Sequence, residues 1–153
     1  MAQVELKHTV AQPIEIVYRV IADIERYPEF MPGFQAIEVK PTDSEDLDVW
    51  QTVGIGGLRR RFHTRARFAP PESIRIQSSD APFRHLDQLW SCRRLGDGQT
   101  GIELRAHYIL AEPVLGVVFD RAYPHLLRRG LSAIDARARI IRRMDQSGPP
   151  PAP

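Results

Sequence analysis

The sequence predicts an α+β fold: a curved antiparallel sheet of about six to seven strands wrapped around a long C-terminal helix, with two short helices after strand one. Three observations carry this. Several runs alternate apolar and polar residues, and the turns joining them are too short for parallel crossovers. Only after Pro113 does the apolar period become helical over a long stretch. A curved sheet with one apolar face must be covered, and this last helix alone is long enough to cover it.

Taken in order, Val4, Leu6, His8 and Val10 alternate with Gln3, Glu5, Lys7 and Thr9, as in a half-buried strand. Pro13 suits a first helical turn, and Ile14, Val17, Tyr18 and Ile21 recur at helical spacing behind it. The segment Tyr27-Pro28-Glu29-Phe30-Met31-Pro32 must bend the chain, because its prolines remove two donors and push the residues before them toward extended geometry. It reads as a lid that presents Phe30 and Met31 to an interior space. Phe34 to Lys40 and Leu47 to Val53 form two strands about an acidic turn, and Gly54, Gly56 and Gly57 mark the next turn.

The following strand alternates most sharply. Leu58, Phe62, Thr64, Ala66 and Phe68 share one face, while Arg59, Arg61, His63, Arg65 and Arg67 share the other. Arg60 has the parity of the apolar face. Ser73 to Ser78, Phe83 to Leu95 and Ile102 to Ala111 complete the strands, the last two about Gly96-Asp97-Gly98. In the final helix Leu127, Leu131, Ile134, Ala138 and Ile141 form the apolar stripe, and Pro124 predicts a kink or break near Tyr123 with the main helix from about His125 to Met144.

A chain of 153 residues fits one domain, assigned to residues 1–147, with a Pro-rich tail over 148–153 expected to be disordered. Without an export signal or a run of 18 apolar residues, the expected location is cytoplasmic, with a peripheral place at the inner membrane compatible. The single cysteine, Cys92, excludes an internal disulfide and a cysteine metal cluster. Charge is uneven: residues 1–54 carry a net −6, and the remainder carries +8 with 17 arginines and no lysine. Arg59, Arg61, Arg65, Arg67, Arg128 and Arg129 therefore make a candidate anion or RNA surface.

Signatures of catalysis are missing. There is no P-loop, no paired metal-ligating histidines on a helix and no Gly-x-Ser-x-Gly elbow, so no catalytic residue and no metal site is assigned. Polar residues whose parity turns them toward the sheet's apolar face are His8, Arg60, Gln88 and Tyr108. The apolar set that can converge on one interior is Phe30, Met31, Phe62, Phe68, Trp90 and Tyr108 with Leu127, Leu131 and Ile134; Arg60 joins it as a candidate for a ligand head group.

Two segments carry a family resemblance. Val20 to Pro32, through Asp23-Ile24-Glu25-Arg26-Tyr27-Pro28-Glu29-Phe30-Met31-Pro32, and Ala81 to Trp90, through Pro82-Phe83-Arg84-His85-Leu86, resemble the START-like (SRPBCC, helix-grip) superfamily. Within it they are similar to the branch of coenzyme Q-binding proteins, ribosome association toxins and polyketide cyclases. The resemblance implies a helix-grip fold and a cavity for a hydrophobic small molecule, with bound ubiquinone or a similar lipid and no required cofactor. It also implies a ribosome as an alternative partner and aromatase or cyclase activity as another alternative. A membrane surface is a further candidate partner, and specific DNA is not expected. Gly33-Phe34 departs from the Trp-Cys pair common in the branch, and Ile134 replaces an aromatic in its final helix.

Overall fold

A computed structural model describes residues 2–55 and 57–146. The expected tail over 148–153 and the contribution of Gly56 to its turn lie outside the described residues. Seven strands form one antiparallel sheet: β1 (Ala2–Val10), β2 (Phe34–Pro41), β3 (Leu47–Ile55), β4 (Leu58–Ala69), β5 (Ser73–Ser78), β6 (Phe83–Gly96) and β7 (Gln99–Leu110). Their order across the sheet is β1-β7-β6-β5-β4-β3-β2. Thus β2 to β7 run as a meander of sequence neighbours, and β1 closes the far edge against β7.

Between β1 and β2 lie α1 (Ile14–Ala22), a 3₁₀ turn (Ile24–Arg26) and α2 (Tyr27–Phe30). α1 begins directly after Pro13, which stands at the N-cap with extended backbone (φ −61°, ψ 152°) and not within the first turn as expected, and its carbonyl accepts from the amides of Ile16 and Val17. Its apolar face buries Ile14, Val17, Tyr18 and Ile21, and the Tyr18 hydroxyl donates to the Ser73 carbonyl at 2.9 Å. The pre-proline rule holds at Met31, which is extended, but not at Tyr27, which is helical with φ −52° and ψ −39°. Pro28 is tolerated there because it stands in the first turn, where its missing amide has no helical acceptor.

The final helix, α3 (Pro113–Gln146), is continuous, so of the kink or break expected near Tyr123 the break is corrected. A proline forfeits one hydrogen bond within a helix. Here buried Phe119 and Tyr123 before it, and Leu127 and Leu131 after it, pack on both sides of the lost bond. Helical geometry therefore continues upstream to Pro113. Among the described residues no helix is long and apolar enough to cross a membrane.

Packing of α3 on the sheet makes the core. Val49, Val53, Phe62, Ala66, Ile74, Leu86, Trp90, Ile102, Leu104 and Tyr108 are buried from the strands, and Leu127, Leu131, Ile134 and Ala138 from the helix. A register shift between Phe83 and His85 places both Phe83 and Leu86 on the buried side, although their spacing is odd.

Candidate functional site

One end of the interface between sheet and α3 is not filled. A cavity of about 70 Å³ lies there, and a second space of about 40 Å³ shares Val53, Phe62, Phe83 and Phe119 with it. The floor of the larger cavity is the sheet: Val49 and Gln51 of β3, Phe62 and Thr64 of β4, Ile76 of β5, and Leu86, Gln88 and Trp90 of β6. Its roof is the first half of α3, through Phe119, Tyr123, Leu126, Leu127 and Gly130. Ile24, Tyr27, Met31, Pro32 and Phe34 close the end.

Each wall has a local cause. Gly130 faces the lid, where a Cβ would make an ordinary contact with the Met31 methyl at 3.5 Å. Gly33 ends the lid with φ +86°, a conformation that side chains other than glycine rarely adopt, and its carbonyl accepts from the Gly54 amide at 2.8 Å. The Tyr27 ring meets Phe30 and Phe34 edge to face, and its hydroxyl donates to the Ile21 carbonyl, which ties the lid to α1. Phe119 and Tyr123 stack with centroids 4.5 Å apart, and each meets Tyr108 edge to face.

Of the residues expected at the site, Met31, Phe62, Trp90 and Leu127 line the larger cavity. The others are placed elsewhere. Phe30 points to the opposite side of the lid, where Arg137 lies over its ring at 5.2 Å. Phe68 sits farther along β4, paired with Ile74, outside the cavity wall. Tyr108 stands behind the aromatic stack and donates to Asp120 at 2.6 Å. Leu131 and Ile134 belong to the solid core one turn beyond the cavity. Ile134, in the position where the resemblance places an aromatic, therefore does not shape the space.

Arg60 has the expected parity, opposite buried Val53, but its guanidinium reaches solvent and donates to the Arg59 carbonyl at 3.1 Å. It stands on the rim of the smaller space, so the head-group position is a rim and not an interior one. His8 meets Asp135 at 3.1 Å, away from the cavity. Gln88 does line it.

Sequence reasoning missed Tyr27, Phe83, Phe119, Tyr123, Leu126 and Gly130. The upstream half of α3 was available as a signal: Phe119, Tyr123 and Leu127 continue the stripe at four-residue spacing, but reading Pro124 as a break cut them off.

The wall is mostly hydrocarbon and aromatic, with few polar points. The Thr64 hydroxyl donates to Gln51 at 3.4 Å, the Trp90 indole donates to the Gln88 oxygen at 3.4 Å, and the Gln88 amide nitrogen donates to the Tyr123 hydroxyl. Burial raises the pKa of Tyr27 and Tyr123 far above that of a free phenol, with Asp23 adding to the shift at Tyr27. Both remain neutral donors at physiological pH. Burial pushes the Cys92 thiol up to about 11, and this side chain does not reach the cavity. Among the described residues no three His, Cys, Asp or Glu side chains gather as a metal would require.

The basic surface is partly neutralised. Arg61 pairs with Glu38 at 3.4 Å, Arg65 with Asp48 at 3.5 Å, and Arg67 grips buried Asp46 with two bonds of 3.2 and 3.3 Å. Arg59, Arg128 and Arg129 are exposed, and among the described residues no carboxylate lies within 4.0 Å of them.

Comparison with known proteins matches residues 10–130 to the family described as polyketide cyclase / dehydrase and lipid transport. The chain belongs to this family. Within the polyketide cyclase / dehydrase and lipid transport family, a similar protein is the ribosome association toxin RatA of Pseudomonas aeruginosa, 31% identical over 114 residues, or 72% of this chain and 79% of that one. Among solved structures, the Zhui aromatase/cyclase from Streptomyces sp. R1128 superposes with a TM-score of 0.78 at 20% identity, over 96% of this chain and 98% of its own. A START superfamily protein from Mycobacterium smegmatis does so with a TM-score of 0.79 at 20% identity, over 91% and 98%. The sheet, the long last helix and the short helices after β1 are thus the START-like, helix-grip arrangement.

Proposed function

We propose that the chain binds a hydrophobic small molecule between the sheet and α3 and carries it to or from a membrane surface, with an isoprenoid quinone such as ubiquinone as the ligand the resemblance implies. The observation that carries this is the apolar cavity with its lid, built where the fold could have packed solid as it does around Ile134. At about 70 Å³ the empty space is smaller than a cavity of about 150 Å³ that admits benzene. A ligand must therefore displace wall side chains, and the Phe62, Phe83 and Phe119 partition with the second space supplies room. Proton abstraction, as a cyclase reading would need, finds less support. The ionisable groups on the cavity wall are Tyr27 and Tyr123, and neither is a base at neutral pH.

A short-chain ubiquinone analogue at 100 times its dissociation constant should raise the melting temperature by about 5–10 °C. Lipid extracted from protein expressed in cells should contain a quinone. No shift together with an empty extract would end this reading.

A second reading rests on similarity to a ribosome association toxin and on the exposed Arg59, Arg128 and Arg129. Contacts of these three with phosphates would make ribosome binding fall about 20- to 40-fold between 50 and 200 mM salt. Cosedimentation with ribosomal subunits measures this, and no pelleting even at the lower salt rules it out.

A further inference from the structure

The hydrogen bonds on the cavity wall have a direction. An indole N–H can only donate, so the Gln88 side-chain oxygen must face Trp90, at 3.4 Å. The Gln88 NH₂ group then faces Tyr123, and the Tyr123 oxygen must accept from it. The phenolic proton of Tyr123 is left over, and among the described residues no acceptor receives it. Tyr123 is only 5% exposed and lines the cavity with Gln88, so this proton is not spent on bulk solvent. The other hydroxyls of the wall differ: Tyr27 donates to the Ile21 carbonyl and Thr64 to Gln51.

We infer that Tyr123 donates a hydrogen bond to the cavity's occupant, and that the site thereby selects apolar molecules carrying a carbonyl or similar oxygen acceptor. This rests on the ligand-carrier reading above and narrows it to a ligand class: ketones and quinones over hydrocarbons of the same shape. Edge contact with Tyr108 and the hydrogen bond from Gln88 hold the Tyr123 ring without relying on Phe119 of the partition, so the donor is in place before a ligand arrives. Its raised pKa keeps the proton on the oxygen throughout the physiological range. A hydrocarbon leaves the donor unpaired, as it is in the empty cavity, whereas an oxygen acceptor gains one hydrogen bond, so the preference is for the oxygen-bearing ligand.

The test uses two probes of matched shape, 1-tetralone and 1-methylenetetralin, which differ in an oxygen for a methylene. Each is titrated calorimetrically into the wild-type chain and Tyr123→Phe. The variant should weaken the ketone about three- to tenfold, as expected for loss of one hydrogen bond, and leave the hydrocarbon within about twofold. Unchanged hydrocarbon binding also shows that the variant is folded. If both probes bind and the substitution affects them equally, the donor role is wrong while the carrier reading stands. If neither probe binds the wild-type chain and a short-chain quinone does not either, both fall.

Discussion

Ile134→Ala is expected to destabilise the protein by about 2–5 kcal/mol and to lower its melting temperature by about 5–15 °C. Ile134 is wholly buried on the face of α3 that meets the sheet. The substitution removes three carbons and leaves a hole that a close-packed interior closes only in part. Its position one turn past Gly130 makes the prediction informative. Ile134 is not part of the cavity wall, so affinity for a short-chain quinone, measured where the variant is still folded, should change less than threefold. A loss of stability under 1 kcal/mol would show that this part of the core is loose, and that the contrast between solid and hollow ends of the interface is wrong.

Gly33→Ala should lower stability by about 2–3 kcal/mol, seen as a lower denaturation midpoint with an unchanged denaturant slope. Two effects add. At φ +86° an alanine is strained, and its Cβ would lie 3.1 Å from the Gly54 carbonyl oxygen and 3.2 Å from a Leu126 methyl. The backbone cannot turn away, because the Gly33 carbonyl is bonded to the Gly54 amide. Gly98 offers the control: its φ is +77°, yet a Cβ there meets nothing within 4 Å. Gly98→Ala should therefore show the backbone cost alone, about 1–2 kcal/mol, and equal losses in the two variants would remove the steric part of the argument. The same crowding gives a reason for the departure from the Trp-Cys pair: there is no room for an indole at Gly33.

The sheet was legible because alternation survives in the sequence. β4 shows it best, with Arg59, Arg61, Arg65 and Arg67 outward and Phe62, Thr64 and Ala66 inward, as the structure has them. Arg60 illustrates the limit. Parity fixes the direction of its Cβ, but a flexible stem decides where the charge ends, and it ends in water. The lid was legible as a segment, and of its two expected inward residues Met31 lines the cavity while Phe30 does not. Tyr27 and Phe30 are both aromatic and three residues apart, so the pattern alone does not say which turns inward; the bond from the Tyr27 hydroxyl to the Ile21 carbonyl accounts for the outcome. The cavity itself was hardest to read. Whether Leu131 or Leu126 borders an empty space depends on how far α3 extends along the sheet, and Pro124 concealed that extent.

Strand order also sets a timetable. Each of β3 to β7 pairs with the strand made just before it, whereas β1 pairs with β7, matching Ala2 to Tyr108 and Val10 to Thr100. At about 5–20 residues per second, β1 is synthesised roughly 5–20 s before its only strand partner exists. Closing a loop of that length makes β1 docking the slow, non-local event of folding. Until it happens, Val4 and Val10 stay uncovered on an undocked β1 and β7 is an unpaired edge, which leaves the nascent chain vulnerable to aggregation.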